Sequence, residues 1–170
     1  MISSGCTGKT EVQEPVAYSE LELRGDQANP EAYYNNKPFS GWAVIYTSGG
    51  LKHIEQEYLN GKKEGQWRVF FPSGQLEKEG QKVNGEDHGS YREWYSNGNQ
   101  KYQYQYEQGK KTGQWLSWYE DGTRYTERNF VNDQLHGKVF VWDEQGKLAK
   151  EYDYVNGQLV NSEMHFKNQE

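Results

Sequence analysis

The sequence predicts an all-β fold, an elongated antiparallel meander of 24-residue β-hairpin repeats that forms an open, twisted sheet. Three observations carry this expectation. Gly41, Gly65, Gly89, Gly113 and Gly137 recur at one 24-residue interval, and Gly50, Gly74, Gly98, Gly122 and Gly146 recur in phase with them. A third series, Gly61, Gly85, Gly109 and Gly157, keeps the same period with Asp133 in its missing place. The segments between are short and rich in Trp, Tyr, Phe, Val and Thr, which suit a pleated surface, and no window carries a sustained helical stripe. Self-similarity at such a period marks an array whose units each pack on their neighbours.

Taken in order, residues 1–17 read as a flexible polar leader and residues 18–160 as the array. Within it, 18–37 are expected to form a degenerate capping hairpin and about 38–157 to form five repeats. Residues 161–170 read as a closing strand and a polar tail. Each repeat divides into two strands. Its ends carry Asn60-Gly61, Asn84-Gly85, Gln108-Gly109, Asn132-Asp133 and Asn156-Gly157, and its middle carries Ser73-Gly74, Asn97-Gly98 or Asp121-Gly122. Such pairs tolerate positive φ at both central positions, so tight type I′ turns are expected at both places. All three glycine series read as turn glycines.

The aromatic residues keep the same phase. Trp67, Tyr91 and Trp115 stand two positions after the first glycine, and Tyr46, Phe70, Trp94, Trp118 and Trp142 stand five after it. A regular strand puts these two columns on opposite faces. Either one face exposes a ribbon of rings, or a bulge brings both sets inward; inward packing is the favoured reading. Trp67, Trp94, Trp115, Trp118 and Trp142 are therefore assigned to packing. With only 33% hydrophobic residues but 15% aromatic ones, rings stacked between repeats must replace an aliphatic core.

Lys63-Glu64-Gly65-Gln66-Trp67-Arg68-Val69-Phe70-Phe71 and Lys111-Thr112-Gly113-Gln114-Trp115-Leu116-Ser117-Trp118-Tyr119, followed by Glu and then Tyr-x-Asn-Gly, resemble the MORN repeat in its bacterial variant. The resemblance implies the fold strongly. It implies an interaction role, and an antitoxin label that bacterial proteins of this kind often carry.

Cys6 is the only cysteine. Met1-Ile2-Ser3-Ser4-Gly5-Cys6 resembles the end of a bacterial lipoprotein signal, in which that cysteine is acylated, although Ser3 stands where Leu is preferred. The resemblance implies a start upstream of Met1 and a tether to the bacterial envelope. The alternative is an inert thiol in the leader of a cytoplasmic protein.

Enzyme chemistry finds little support. His88 and His136 share a column but stand two repeats apart, roughly 20 Å in a meander, too far to share a zinc ion; they read as solvated turn histidines. Glu55, Glu79, Glu127 and Glu151 form an acidic column with members about 10 Å apart, better suited to a solvated face than to a carboxylate pair. No phosphate loop or nucleophile elbow is present, and no cofactor or metal is expected. A net charge of −6 without a basic stripe argues against nucleic acid. It favours a protein partner with a basic patch, and contact with a membrane only through a lipid anchor. The expected function is a non-enzymatic interaction module, with Glu55, Glu79, Glu127, Glu151, Arg68 and Arg92 as contact residues. The alternative is an antitoxin or immunity protein that occludes a basic toxin.

Overall fold

Left-handed residue pairs decide where the chain reverses. In the computed structural model, which describes residues 14–165, Asn60-Gly61 has φ of 50° and 85°, Gln108-Gly109 50° and 74°, and Asn132-Asp133 49° and 67°. These are the type I′ turns expected between repeats. Each also docks on the unit before it: the Gly85 N–H donates to the Lys63 carbonyl at 2.9 Å, Gly109 to Asp87 at 2.8 Å and Asp133 to Lys111 at 3.0 Å.

The turns inside each repeat are not type I′. Ser73, Asn97 and Asp121 keep ordinary negative φ, and only Gly74, Gly98 and Gly122 lie at 84°, 89° and 91°. The Gly74 N–H donates to Phe71 O and the Phe71 N–H to Gln75 O, both at 2.8 Å. This is a three-residue loop, a type I turn closed by a left-handed glycine. The Asn97 and Asp121 side chains accept backbone N–H groups two residues on, at 2.9 and 2.8 Å. They act through that hydrogen bond and not through positive φ.

Between turns run β5 (Gly41–Tyr46) and β6 (Lys52–Leu59), β7 (Lys62–Phe70) and β8 (Leu76–Val83), β9 (Glu86–Trp94) and β10 (Gln100–Glu107), and β11 (Lys110–Trp118) and β12 (Arg124–Val131). The fifth unit has β13 (Gln134–Leu135), β14 (Gly137–Trp142) and β15 (Leu148–Val155), and β16 (Gln158–Met164) follows it. Each pairs antiparallel with the next in one 13-stranded sheet; β13 and β14 both pair with β12. Apart from the amino-terminal end, no second layer covers this sheet among the described residues.

Gly65, Gly89 and Gly113 correct the expectation for the first series. They lie inside strands, with φ of 76°, 70° and 60°. At Gly65, the run Glu64-Gly65-Gln66 faces the single residue Glu57, since Gln56 pairs with Trp67 and Tyr58 with Lys63. These are wide bulges in the sense that they insert two extra residues, and glycine takes their left-handed backbone at least cost.

The amino-terminal end is not a degenerate hairpin, and the leader ends earlier than expected. β1 (Val16–Ala17) pairs parallel with Ala43 and Val44 of β5, so the main sheet is mixed at this edge. A 3-10 turn (Tyr18–Glu20) leads to a separate three-stranded sheet of β2 (Glu22–Arg24), β3 (Glu31–Tyr34) and β4 (Lys37–Pro38). Ala32 and Phe39 there pack with Ala43 and Tyr58 of the array in a core where each is at most 4% exposed. The Ala32 N–H donates to the Gly61 carbonyl and the Gly61 N–H to Phe39 O, both at 2.7 Å. The cap thus uses the same turn-docking contact as the repeats. Cys6 lies outside the described residues, as does the tail from 166.

Candidate interaction surface

Strand register converts the predicted charged columns into one row. Glu55 lies across from Arg68, Arg68 from Glu79 and Glu79 from Arg92, and the row continues through Gln103, Leu116, Glu127 and Phe140 to Glu151. Successive strands are about 4.8 Å apart, so acid and base alternate at close range. Arg68 Nη1 reaches Glu55 Oε1 at 2.7 Å, and Arg92 Nη1 reaches Glu79 Oε1 at 3.3 Å. Glu127 pairs with Arg124 at 2.8 Å, and Glu151 pairs with Lys138.

All six predicted contact residues therefore share one face, but each is already ion-paired, four with one another and Glu127 and Glu151 with Arg124 and Lys138. Glu55 is only 7% exposed and is held by both Lys52 and Arg68, so it is structural rather than available. Arg92 is exposed, and Glu79, half-buried, pairs with it. A shallow depression of about 230 Å³ lies between the arginines, lined mainly by Gln66, Arg68, Glu79, Gln81, Ser90 and Arg92, with Trp67 of β7 and Gly80 of β8 at its floor. Its polar lining suits a protein surface better than an apolar ligand.

The opposite face carries a continuous stack of rings. Trp67 lies 5.8 Å from Tyr91, Tyr91 stacks on Tyr104 at 5.4 Å, Tyr104 on Trp115 at 4.0 Å, and Trp115 touches Phe130 at 4.9 Å. Both readings of the aromatic parity need revision. There is no interior for the rings to turn toward, and they stack sideways along the sheet. Their faces are taken up by each other, which leaves little platform for a sugar or base. Of the five tryptophans assigned to packing, Trp115 is buried; Trp67, Trp94, Trp118 and Trp142 are half-buried. The second aromatic column is tied between repeats through its neighbour: Tyr95 Oη donates to Trp118 O at 2.9 Å, and Tyr119 Oη to Trp142 O at 3.0 Å.

One cluster escaped the column reading. Glu93 is 9% exposed and accepts from Tyr91 Oη at 2.5 Å and Lys101 Nζ at 2.9 Å, with Lys78 at 3.9 Å. Burial pushes its carboxyl up, but those hydrogen bonds and the two ammonium groups outweigh this and hold it below the usual range. Lys101 sits in a bulge beside Tyr102 whose column elsewhere holds His53, Glu77, Tyr125 and Ala149, so no repeated residue type announces it.

The histidines also differ from expectation. His88 is half-buried in β9, not in a turn, and its Nδ1 is buried without a hydrogen-bond partner; His136 stands exposed between β13 and β14. Near the far edge, Glu151, Glu163 and His165 bring one ligand atom each within 4.8 Å of one another, although Lys138 already neutralises Glu151.

Residues 63–81, 111–132 and 135–156 match the MORN repeat variant family, so three units carry that family's pattern. No curated protein matches the chain. Among solved structures, a crystal structure of a GtfA/B complex bound to UDP and GlcNAc is similar at 13% identity over 78% of this chain and 24% of that one. The chain spans about a quarter of that protein's length, and the TM-score is 0.26.

Proposed function

We propose that this array of MORN-variant repeats works as a non-enzymatic interaction module, a ribbon that presents its charged row to a protein with a basic patch. The observation that carries the reading is the row itself, which advances strand by strand from Glu55 to Glu151, with Gln103, Leu116 and Phe140 between its charges, on a face no second layer covers among the described residues. Its arginines stand on β7 and β9, while Glu127 and Glu151 face Leu116 and Phe140 further along and pair instead with Arg124 and Lys138. The chain's net charge of −6 favours encounter with a basic partner. A lipid on Cys6 would hold the ribbon at the bacterial envelope; without it the protein would act in the cytoplasm.

Photo-crosslinking from position 79 in the native cell tests the reading. A basic protein should be captured by the wild-type face and lost from folded Glu127→Lys and Glu151→Lys variants. Undiminished capture by both variants would sink it. A finer version is an antitoxin or immunity protein, supported by the same acidity; co-expression with the product of a neighbouring toxin gene separates it, since only an antitoxin restores growth.

A further inference from the structure

The outer edge of β16 is where the array's regularity breaks. In the earlier units three residues of the glycine-bearing strand face one residue of the strand before it, which sets Glu55 against Arg68, Glu79 against Arg92, Gln103 against Leu116 and Glu127 against Phe140. The next place in the glycine series holds Asn161, which does not adopt positive φ. Without left-handed backbone the wide bulge cannot form, and β16 accommodates one extra residue instead of two. The register slips by one, and a one-residue slip exchanges the faces. Glu151 now meets Glu163, where the period would have set Met164.

Two consequences meet at this edge. Glu163 lies across from a like charge, an unfavourable cross-strand pair, and Lys138 serves Glu151 on the inner side, leaving Glu163 without an ion pair among the described residues. All of β16 from Gln158 to Met164 is exposed, and nothing pairs with its outer side among the described residues, whereas β5 at the other end is covered by β1. An open row of backbone donors and acceptors is a template for a further strand.

We propose that this edge binds an extended segment of a partner as an added antiparallel strand. The segment carries Lys or Arg set against Glu163, alternating with apolar residues that cover Met164 on the other face. The added base restores the alternation of charge found at Glu55–Arg68 and Glu79–Arg92. A second copy of this chain fits poorly: antiparallel β16 strands centred on Glu163 would oppose the two Glu163 carboxylates, and each chain brings a net charge of −6. The inference rests on the reading that the module receives a basic protein.

The test is fluorescence anisotropy of the full chain with a labelled nine-residue peptide of alternating Lys and Val. Its controls are a Glu-Val peptide and a Lys-Val peptide N-methylated at alternate backbone amides. The wild type should bind the Lys-Val peptide about ten-fold or more tightly than the Glu-Val peptide, the worth of one close interfacial charge pair. N-methylation should abolish binding, and Glu163→Lys should reverse the preference. Equal binding of the N-methylated peptide to the wild type, a preference unmoved by Glu163→Lys, or no binding at all would overturn the proposal. So would a sedimentation-detected dimer that excludes the peptide. If the native partner still crosslinks from position 79 to Glu163→Lys, the edge fails while the module reading stands; loss of capture on Glu127→Lys bears on that reading alone.

Discussion

Gly80→Ala isolates the ring stack from backbone effects. Gly80 lies across from Trp67 and has no positive φ, so alanine is conformationally acceptable there. Its Cβ, however, would sit 2.8 Å from each of Trp67 Cε2, Cζ2 and Nε1. Ordinary contacts begin near 3.4 Å. The indole must therefore move by about half an ångström or more, away from Tyr91 and the stack beyond it. Overpacking of this kind costs about 1–3 kcal/mol, and alanine recovers about 0.4–1 kcal/mol by restricting the unfolded chain. The net loss should be about 1–2 kcal/mol, or roughly 2–8 °C in Tm for a chain of this size. Urea titration followed by tryptophan fluorescence measures it. Trp67→Val in the Gly80→Ala background should erase the added loss, because the clash needs both groups. A Gly80→Ala protein as stable as the wild type would refute the stacking account.

Three further perturbations address separate contacts. Phe71→Tyr places a hydroxyl where Tyr95 and Tyr119 reach the next repeat's carbonyl, so it should raise stability by about 0.5–1.5 kcal/mol in the same titration. Asn161→Gly should restore the wide bulge and move Met164 opposite Glu151, visible as a new cross-strand NOE between them; an unchanged Glu151–Glu163 pairing would reject the bulge explanation. Glu93 has a folded pKa held low, so its stabilisation is present above the unfolded value near 4.3 and disappears as pH falls through the lower folded value. Glu93→Gln should therefore cost about 1–2 kcal/mol at neutral pH and flatten the acid limb of the stability curve; parallel curves for the two proteins would contradict this.

Period and residue type were enough to place the hairpins, because turn chemistry is local and five in-phase copies reinforce each other. What they could not separate were glycines with different duties. Gly61, Gly65 and Gly74 look alike in a 24-residue alignment, yet one makes a type I′ turn, one a strand bulge and one a type I loop. The distinction depends on what lies across the sheet. The acidic column was legible for the same reason as the turns. That Arg68 and Arg92 offset its charge was legible too, but which glutamate each one meets was not, because cross-strand register follows from bulges whose size the sequence does not print. Asn161 is the clearest case: the missing glycine was visible, but its effect on Glu163 emerges only once the earlier registers are known. Residues 18–37 keep the period only in Glu31, Tyr34 and Asn36, enough to suggest a cap but not the separate three-stranded sheet joined through Ala32 and Phe39.

The central claim is that the array is an open, single-layered ribbon whose charged row advances by one strand at a time. Electron–electron distance measurement tests it directly, with Cys6→Ser removing the native thiol and nitroxide labels on cysteines at positions 79 and 151. Six strand steps separate β8 from β15, so the account predicts a distribution centred near 30 Å. A distance below about 20 Å would mean that the sheet folds back on itself, hiding the row and contradicting the ribbon.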